Sequence, residues 1–408
     1  MPQSKSLLLS IGYFPDIGGI QKTQYELVKR LGIDSVIIAR HTKGCEESDN
    51  KQKQEIIRVK TGKMKKGFYY LSSKICSPLQ MFLNFRGVFK SVIKNYDIGV
   101  VICSHIATGL LALKSKKKTG IPYVIFAHGQ EVFRSALCGK NSISYRCAKE
   151  IFNNASIIYV SNNFTKGIVE TWLYDKSKVK KIPFVGADTK RFFPKKKNNK
   201  TIKKFGLEEN KVLLTVTRLD DYKGVDFVIK SLPLIIKEIP NIRYIVVGTG
   251  TEMEKLKQLT KEIGVEKHVI FTGNIDESEL NDYYNLCDVF IMCSRDCVEK
   301  SPICSKGGMV EGFGVVFIEA NACEKPVIGG NSGGIPDAVI DGKTGLLVNP
   351  IDINDIKEKI VKLLTNKKYA DELGKNGRKR AIEELNYKQA ADIVTKDLKK
   401  LIGVKNEI

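Results

Sequence analysis

Two cations, Arg218 and Lys223, stand five residues apart between an apolar run and a second, helix-spaced one, in Thr217-Arg218-Leu219 and Lys223-Gly224. A strand ending at such a pair, with a helix starting just beyond it, puts both positive groups at the strand's carboxyl end, where a diphosphate would sit. A second segment, Glu311-Gly312-Phe313-Gly314-Val315 and onward to Glu319-Ala320, sets one carboxylate in a glycine-containing loop and another about one turn into an apolar helix. Glu319 among Phe317, Ile318 and Ala320 is costly without a partner, and a hydroxyl-bearing ligand such as a ribose supplies one. Gly312 and Gly314 leave room for phosphate oxygens on the helix amides. Gly18-Gly19 ahead of a helix offers backbone amides to an anion in the same way, or serves only as a chain reversal. Val246-Val247-Gly248-Thr249-Gly250 opens like a dinucleotide fingerprint, but a third glycine and the later acidic residue are missing, which argues against NAD.

Elements able to position these groups follow from apolar patterning. Leu7–Ile11 reads as a strand, Pro15–Gly19 as a loop, and Ile20–Leu31 as a helix with Tyr25, Leu27, Val28 and Leu31 on one face. Further strands are expected at 36–39, 98–103, 123–127 and 157–160, then at 212–216, 244–247, 269–272, 289–293, 326–328 and 345–348. Helices are expected at 225–236, 252–263, 315–322, 352–364, 369–385 and 387–401. Strands alternating with helices predict two doubly wound α/β domains with ligands at the carboxyl ends of the strands, in a deep cleft between the domains. The Lys-, Pro- and Asn-rich stretch 176–204 reads as the linker. The expected division is residues 1–185, 186–385 and a last helix, 386–408, packing back on the first domain.

Composition narrows the class. The 408 residues suit two domains, and 42% apolar with 27% charged residues excludes wholesale disorder. No apolar run reaches the roughly 18 residues that span a bilayer, and no signal-peptide pattern opens the chain, so a cytosolic location is expected. Ten cysteines include no C-x-x-C pair; the cluster Cys287, Cys293, Cys297 and Cys304 has no metal-site spacing, and free thiols with no metal are expected. Residues 1–200 hold 36 Lys and Arg against 13 Asp and Glu, so the whole excess of the net +22 lies in that half. Such asymmetry points to a polyanionic partner, either nucleic acid or an anionic membrane surface.

Taken jointly, these motifs resemble family 4 of the retaining nucleotide-sugar glycosyltransferases, of the GT-B fold, over nearly the whole chain. The matching residues are Gly18-Gly19, Ala127-His128-Gly129-Gln130-Glu131, Ile182-Pro183 to Arg191-Phe192 with Pro194, Arg218 with Lys223-Gly224, and Glu311 with Glu319 in E-x7-E. Ser332 to Asp337 and Asp341-Gly342-Thr344-Gly345-Leu346-Leu347 complete the set. The resemblance implies that Arg218 and Lys223 neutralise the donor diphosphate and that Glu311 contacts the transferred sugar. It implies further that the amides of Phe313, Gly314 and Val315 hold phosphate or sugar, that Glu319 holds the ribose, and that His128 reaches the sugar. Gly18-Gly19 would approach the phosphate or the acceptor. Catalysis would then be charge stabilisation and positioning, with front-face attack, no protein general base, no metal and no cofactor, the nucleotide-sugar being a substrate. One departure is Asn386-Tyr387-Lys388, where the family often places a tryptophan. The loop from Asp296 to Val310 resembles that of mannosyltransferase-like members and favours a GDP-linked donor, with UDP the alternative.

The resemblance gives acceptor binding to the N-terminal domain, the one that carries the charge. Between Lys63 and Lys94 cations alternate with Phe68, Tyr69, Tyr70, Met81, Phe82, Phe85 and Phe89, suited either to a lipid headgroup layer or to the domain's own helix core. The expected function is hexosyl transfer to a membrane-bound or lipid-linked glycan in cell-surface polysaccharide or glycolipid synthesis. The enzyme would lie peripherally on the cytoplasmic face of the cell membrane, with no nucleic acid as partner. The alternatives are a nucleotide-sugar 2-epimerase of related fold, which needs no acceptor, and a basic nucleic-acid-binding protein, for which no binding module is visible.

Overall fold

The computed structural model describes residues 4–16, 18–60, 76–298 and 307–403. The chain divides into two compact units, one of Met1–Ser161, Lys166–Phe184 and Tyr387–Ile408, the other of Asn162–Thr165 and Val185–Asn386. Each is an α/β unit built on a wholly parallel sheet.

The first unit's strands are β1 (Lys5–Ser10), β2 (Ser35–Arg40), β3 (Glu55–Val59), β4 (Ile98–Cys103), β5 (Tyr123–Ala127), β6 (Ile157–Val160) and β7 (Val179–Lys181), in spatial order β3-β2-β1-β4-β5-β6-β7. Helices cover both faces, so successive residues are buried alike: Leu7, Leu8 and Leu9 of β1 are fully enclosed, as are Val36, Ile37 and Ile38, which pair with them. Phe85 and Phe89 of the helix Cys76–Asn95 are part of this core. That decides two of the seven residues of the interleaved stretch in favour of the domain's interior; Phe68, Tyr69 and Tyr70 lie outside the described residues, as do the side chains of Met81 and Phe82.

The helix Tyr387–Ile402 joins this unit from the far end of the chain. Its Ala390, Ala391, Val394 and Leu398 are buried, and it packs on the helix Gly19–Val28 and on β4. The nearly buried Asp397 accepts hydrogen bonds from the Tyr159 hydroxyl (2.9 Å) and from Lys180 Nζ (2.6 Å). Burial, reinforced by that carboxylate, raises the Tyr159 pKa and keeps the phenol protonated as donor.

The second unit's strands are β8 (Lys211–Val216), β9 (Ile242–Val247), β10 (Val269–Gly273), β11 (Val289–Met292), β12 (Val327–Gly330) and β13 (Leu346–Val348), in order β10-β9-β8-β11-β12-β13. After β8 the chain builds outward to one side through β9 and β10, then returns to β11 on the other. The crevice between the loops that follow β8 and β11 is therefore the topological switch point, the place where such sheets bind ligands.

The expected linker needs correction. Residues 176–204 contain β7, a 3-10 turn at Lys176–Lys178 and most of the helix Asn199–Phe205. β7 is a short edge strand, Val-Lys-Lys, whose only apolar residue is half-buried, so it carries no alternation for a sequence to show. The cysteines need one too. Seven are free thiols, but Cys297 is disulfide-bonded. Its loop doubles back, Cys297 forming an antiparallel bridge with Met309, a proximity that linear spacing does not report.

Candidate active site

Arg218 and Lys223 lie in the loop that leaves β8, and Glu311 in the loop that follows β11, on opposite sides of the switch point. Folding joins the last two: Lys223 Nζ and Glu311 Oε2 form a salt bridge, with only 12% and 14% of the two side chains exposed. Burial opposes the Lys223 charge, but the Glu311 carboxylate, with help from Tyr222, outweighs it and raises the pKa above the ordinary lysine value. Arg218 is more open, its side chain 65% exposed, and pairs with Asp220 instead. Burial again works against the charge, and the Asp220 carboxylate raises the pKa in spite of it.

The two loops are fastened together. Lys223 ends the 3-10 turn Asp221–Lys223, and Gly224 behind it adopts φ +72° to start the helix Val225–Glu238. A Cβ at Gly224 would overlap the Cys293 carbonyl oxygen at the end of β11, so only glycine permits this approach. Arg295 adds a backbone hydrogen bond to the Tyr222 carbonyl (2.8 Å) and an ion pair to Asp226 (2.9 Å).

Gly314, at φ +87°, caps the helix Val315–Ala322 from outside and turns the loop so that the amides of Val315 and its neighbours open the helix. Phe313 is buried beside it. The loop is held by Asn162, whose Nδ2 donates to the Gly312 carbonyl (2.6 Å), and by Gly334, whose missing Cβ admits that same carbonyl. Neither residue was singled out from the sequence for this support, because each is far away along the chain. Glu319 requires a correction of argument. The buried Tyr284 hydroxyl donates to its Oε2 at 2.8 Å, so the carboxylate has a protein partner and its burial does not by itself demand a ligand.

The other predicted positions belong to the first unit. Gly18 is exposed and precedes the helix that Gly19 begins. His128 follows β5; its backbone N–H donates to Glu131 Oε1 (2.9 Å), and its buried Nε2 has no hydrogen-bond partner. Also in this unit, a ring nitrogen of His41, Cys45 Sγ and a Glu46 oxygen lie within 4.8 Å of one another, the one such group of possible metal ligands among the described residues. Glu46 is 71% exposed and already hydrogen-bonded to His41.

Burial pushes the His128 pKa down to about 4, from an ordinary value near 6.5, and the folded protein holds the ring neutral at physiological pH. The unfolded chain takes up a proton that the folded one refuses. Stability from this group is therefore complete above about pH 6.5 and is lost as pH falls towards 4, by up to about 3 kcal/mol. His128→Gln is expected to flatten that acid limb. Thermal midpoints taken at about pH 7.5 and about pH 4.5 should differ less in the variant than in the parent, and equal drops would exonerate His128.

Cations, a carboxylate and a helix N-terminus gather at the switch point of a parallel sheet, an arrangement suited to a phosphate-bearing ligand. Comparison with known proteins agrees. Residues 197–380 match the model of the family Glycosyl transferases group 1. A GDP-mannose-dependent alpha-(1-6)-phosphatidylinositol monomannoside mannosyltransferase of Mycolicibacterium smegmatis is 28% identical over 94% of this chain and 95% of its own length. Among solved structures, sucrose-phosphate synthase of Thermosynechococcus elongatus superposes with TM-score 0.76 at 22% identity, over 98% and 100% of the two chains. Anabaena HepE in complex with UDP and glucose gives 0.74 at 15%, over 97% and 100%. These likenesses support a glycosyltransferase of the GT-B, family 4 type acting as a hexosyltransferase, with the group 1 domain in residues 197–380. Of the readings the sequence left open, the glycosyltransferase is the one these likenesses support. Among the described residues no helix is long and apolar enough to cross a membrane.

Proposed function

We propose that the enzyme transfers mannose from GDP-mannose to a lipid-linked glycan at an anionic membrane surface, with retention of anomeric configuration and without a metal. The observation that carries this reading is the buried Lys223–Glu311 pair at the switch point, beside Arg218 and the N-terminus of the helix Val315–Ala322. Arg218 and Lys223 take the charge of the departing diphosphate, as a metal would in other transferases, and the amides of Gly314 and Val315 share it. Glu311 orients the sugar through its hydroxyls, and Glu319 the ribose. The neutral His128, with its Nε2 unpartnered, offers an acceptor to a substrate hydroxyl. The phosphate leaving from the sugar's front face takes the acceptor's proton, so no side chain acts as base. The mannosyl donor and lipid acceptor are those in the relative's name. The positive excess of residues 1–200 suits a lipid surface and needs no nucleic acid.

The test is transfer from labelled GDP-mannose and UDP-glucose, with chelator present, to a phosphatidylinositol mannoside in neutral or anionic vesicles. An α-mannosyl product formed from GDP-mannose, chelator-insensitive and faster on anionic vesicles, is expected. A β-linked product, dependence on added metal, preference for UDP-glucose, or indifference to vesicle charge would each overturn the corresponding part.

A further inference from the structure

Resting on the reading of Arg218 as a donor-phosphate ligand, we infer that Asp220 is a positioning residue that holds the Arg218 guanidinium edge-on, leaving its outer edge for the diphosphate. Arg218 Nε donates to Asp220 Oδ2 at 2.6 Å, and Nη2 lies 2.5 Å from that same oxygen. The carboxylate thus occupies only the side edge of the guanidinium, at a single atom. The Tyr222 side chain is a further hydrogen-bond partner of Arg218, and with five donors in a rigid fork the guanidinium still has donors left for a second anion.

Asp220 is itself immobilised. Its N–H donates to the Arg218 carbonyl (2.8 Å), and its own carbonyl accepts the N–H of Lys223 (3.1 Å), so one residue braces the backbone of both cations. Its side chain is 17% exposed where that of Arg218 is 65% exposed. A long, open arginine without such a brace would distribute over many rotamers, and binding would have to order it. The chain gives each of the two cations one carboxylate: Lys223 has Glu311 from across the switch point, and Arg218 has Asp220 from its own loop. These pairs are charge-balanced, so phosphate affinity depends on where the free donors point more than on net charge.

The experiment measures GDP and guanosine binding by calorimetry, and steady-state transfer, for the parent enzyme, Asp220→Ala, Asp220→Asn and Arg218→Ala. Asp220→Ala is expected to weaken GDP about tenfold, mostly in donor KM, while leaving guanosine binding unchanged. Asp220→Asn, whose amide oxygen still accepts from Nε, should recover to within about threefold of the parent. GDP bound as well by Asp220→Ala as by the parent would overturn the inference. Tighter GDP binding would overturn it too, showing that Asp220 competes with phosphate for the guanidinium. Equal loss of guanosine and GDP, or no rescue by asparagine, would make the residue a general structural support and sink the positioning role. Arg218→Ala separates the levels: if it leaves GDP binding intact, the reading of the donor site fails, whereas GDP weakened by Arg218→Ala but not by Asp220→Ala removes Asp220 alone.

Discussion

Lys223→Ala is expected to lower turnover by roughly a hundredfold to a thousandfold and to cost about 3 kcal/mol of stability. The first effect is the loss of a preorganised charge where negative charge collects on the leaving diphosphate. The second comes from Glu311, left 14% exposed and without its counter-ion. The two effects separate in a double variant. Replacing the pair by Lys223→Met with Glu311→Leu removes both buried charges, and packing of two apolar side chains should restore most of the thermal midpoint while turnover stays at least as low as in the single variant. Steady-state rates and thermal unfolding of the three proteins make the test. A single variant that keeps activity within about threefold of the parent would mean that Lys223 does not face the reacting phosphate.

The other large effect belongs to Gly224→Ala, a change of one methyl group. At φ +72° an alanine meets the left-handed penalty of about 1 to 2 kcal/mol. Its Cβ would also overlap the Cys293 carbonyl oxygen and stand 3.0 Å from the Cys293 Cβ. The loop after β8 can escape only by moving away from β11, which drags Lys223 from Glu311. A loss of about 3 kcal/mol or more is expected, and activity should fall by more than unfolding explains. Gly264 is the control: its φ is +70°, but nothing lies within 4 Å of the place its Cβ would take. Gly264→Ala should therefore pay the conformational penalty alone and leave activity unchanged. Equal destabilisation by the two substitutions would show that the β8 loop has slack.

What was legible in the sequence follows the range of the forces involved. β4 and β5 fall where unbroken apolar runs place them, because a parallel strand covered on both faces must be apolar throughout. β3, an edge strand with one buried residue in five, and β7 show no such run and went unread. Phe85 and Phe89 have the composition of a membrane-facing stretch and the position of a core. Within the site, Lys223 and Glu311 announce themselves as charges beside glycines, and Arg218 and Glu319 as charges beside apolar residues. Their partners do not: Tyr284 lies 35 residues before Glu319, and Asn162 lies 150 before Gly312. Asp220 was overlooked for the opposite reason. An acidic residue two places from an arginine looks like ordinary surface charge until its backbone is seen tied to both cations.

The helix Tyr387–Ile402 gives the molecule a schedule. The ribosome delivers β1 to β7 first, then Val185–Asn386, which is all but four residues of the second unit, and only afterwards the segment that covers β4 and the helix Gly19–Val28. At about 5 to 20 residues per second, the roughly 200 residues between take ten to forty seconds to make. Throughout that interval the seat of Ala390, Val394 and Leu398 stands uncovered, and Tyr159 and Lys180 wait for Asp397. The half of the enzyme begun first is thus the half finished last. A ribosome stalled anywhere within the second unit would hold out an incomplete first unit with an apolar seat open to chaperones.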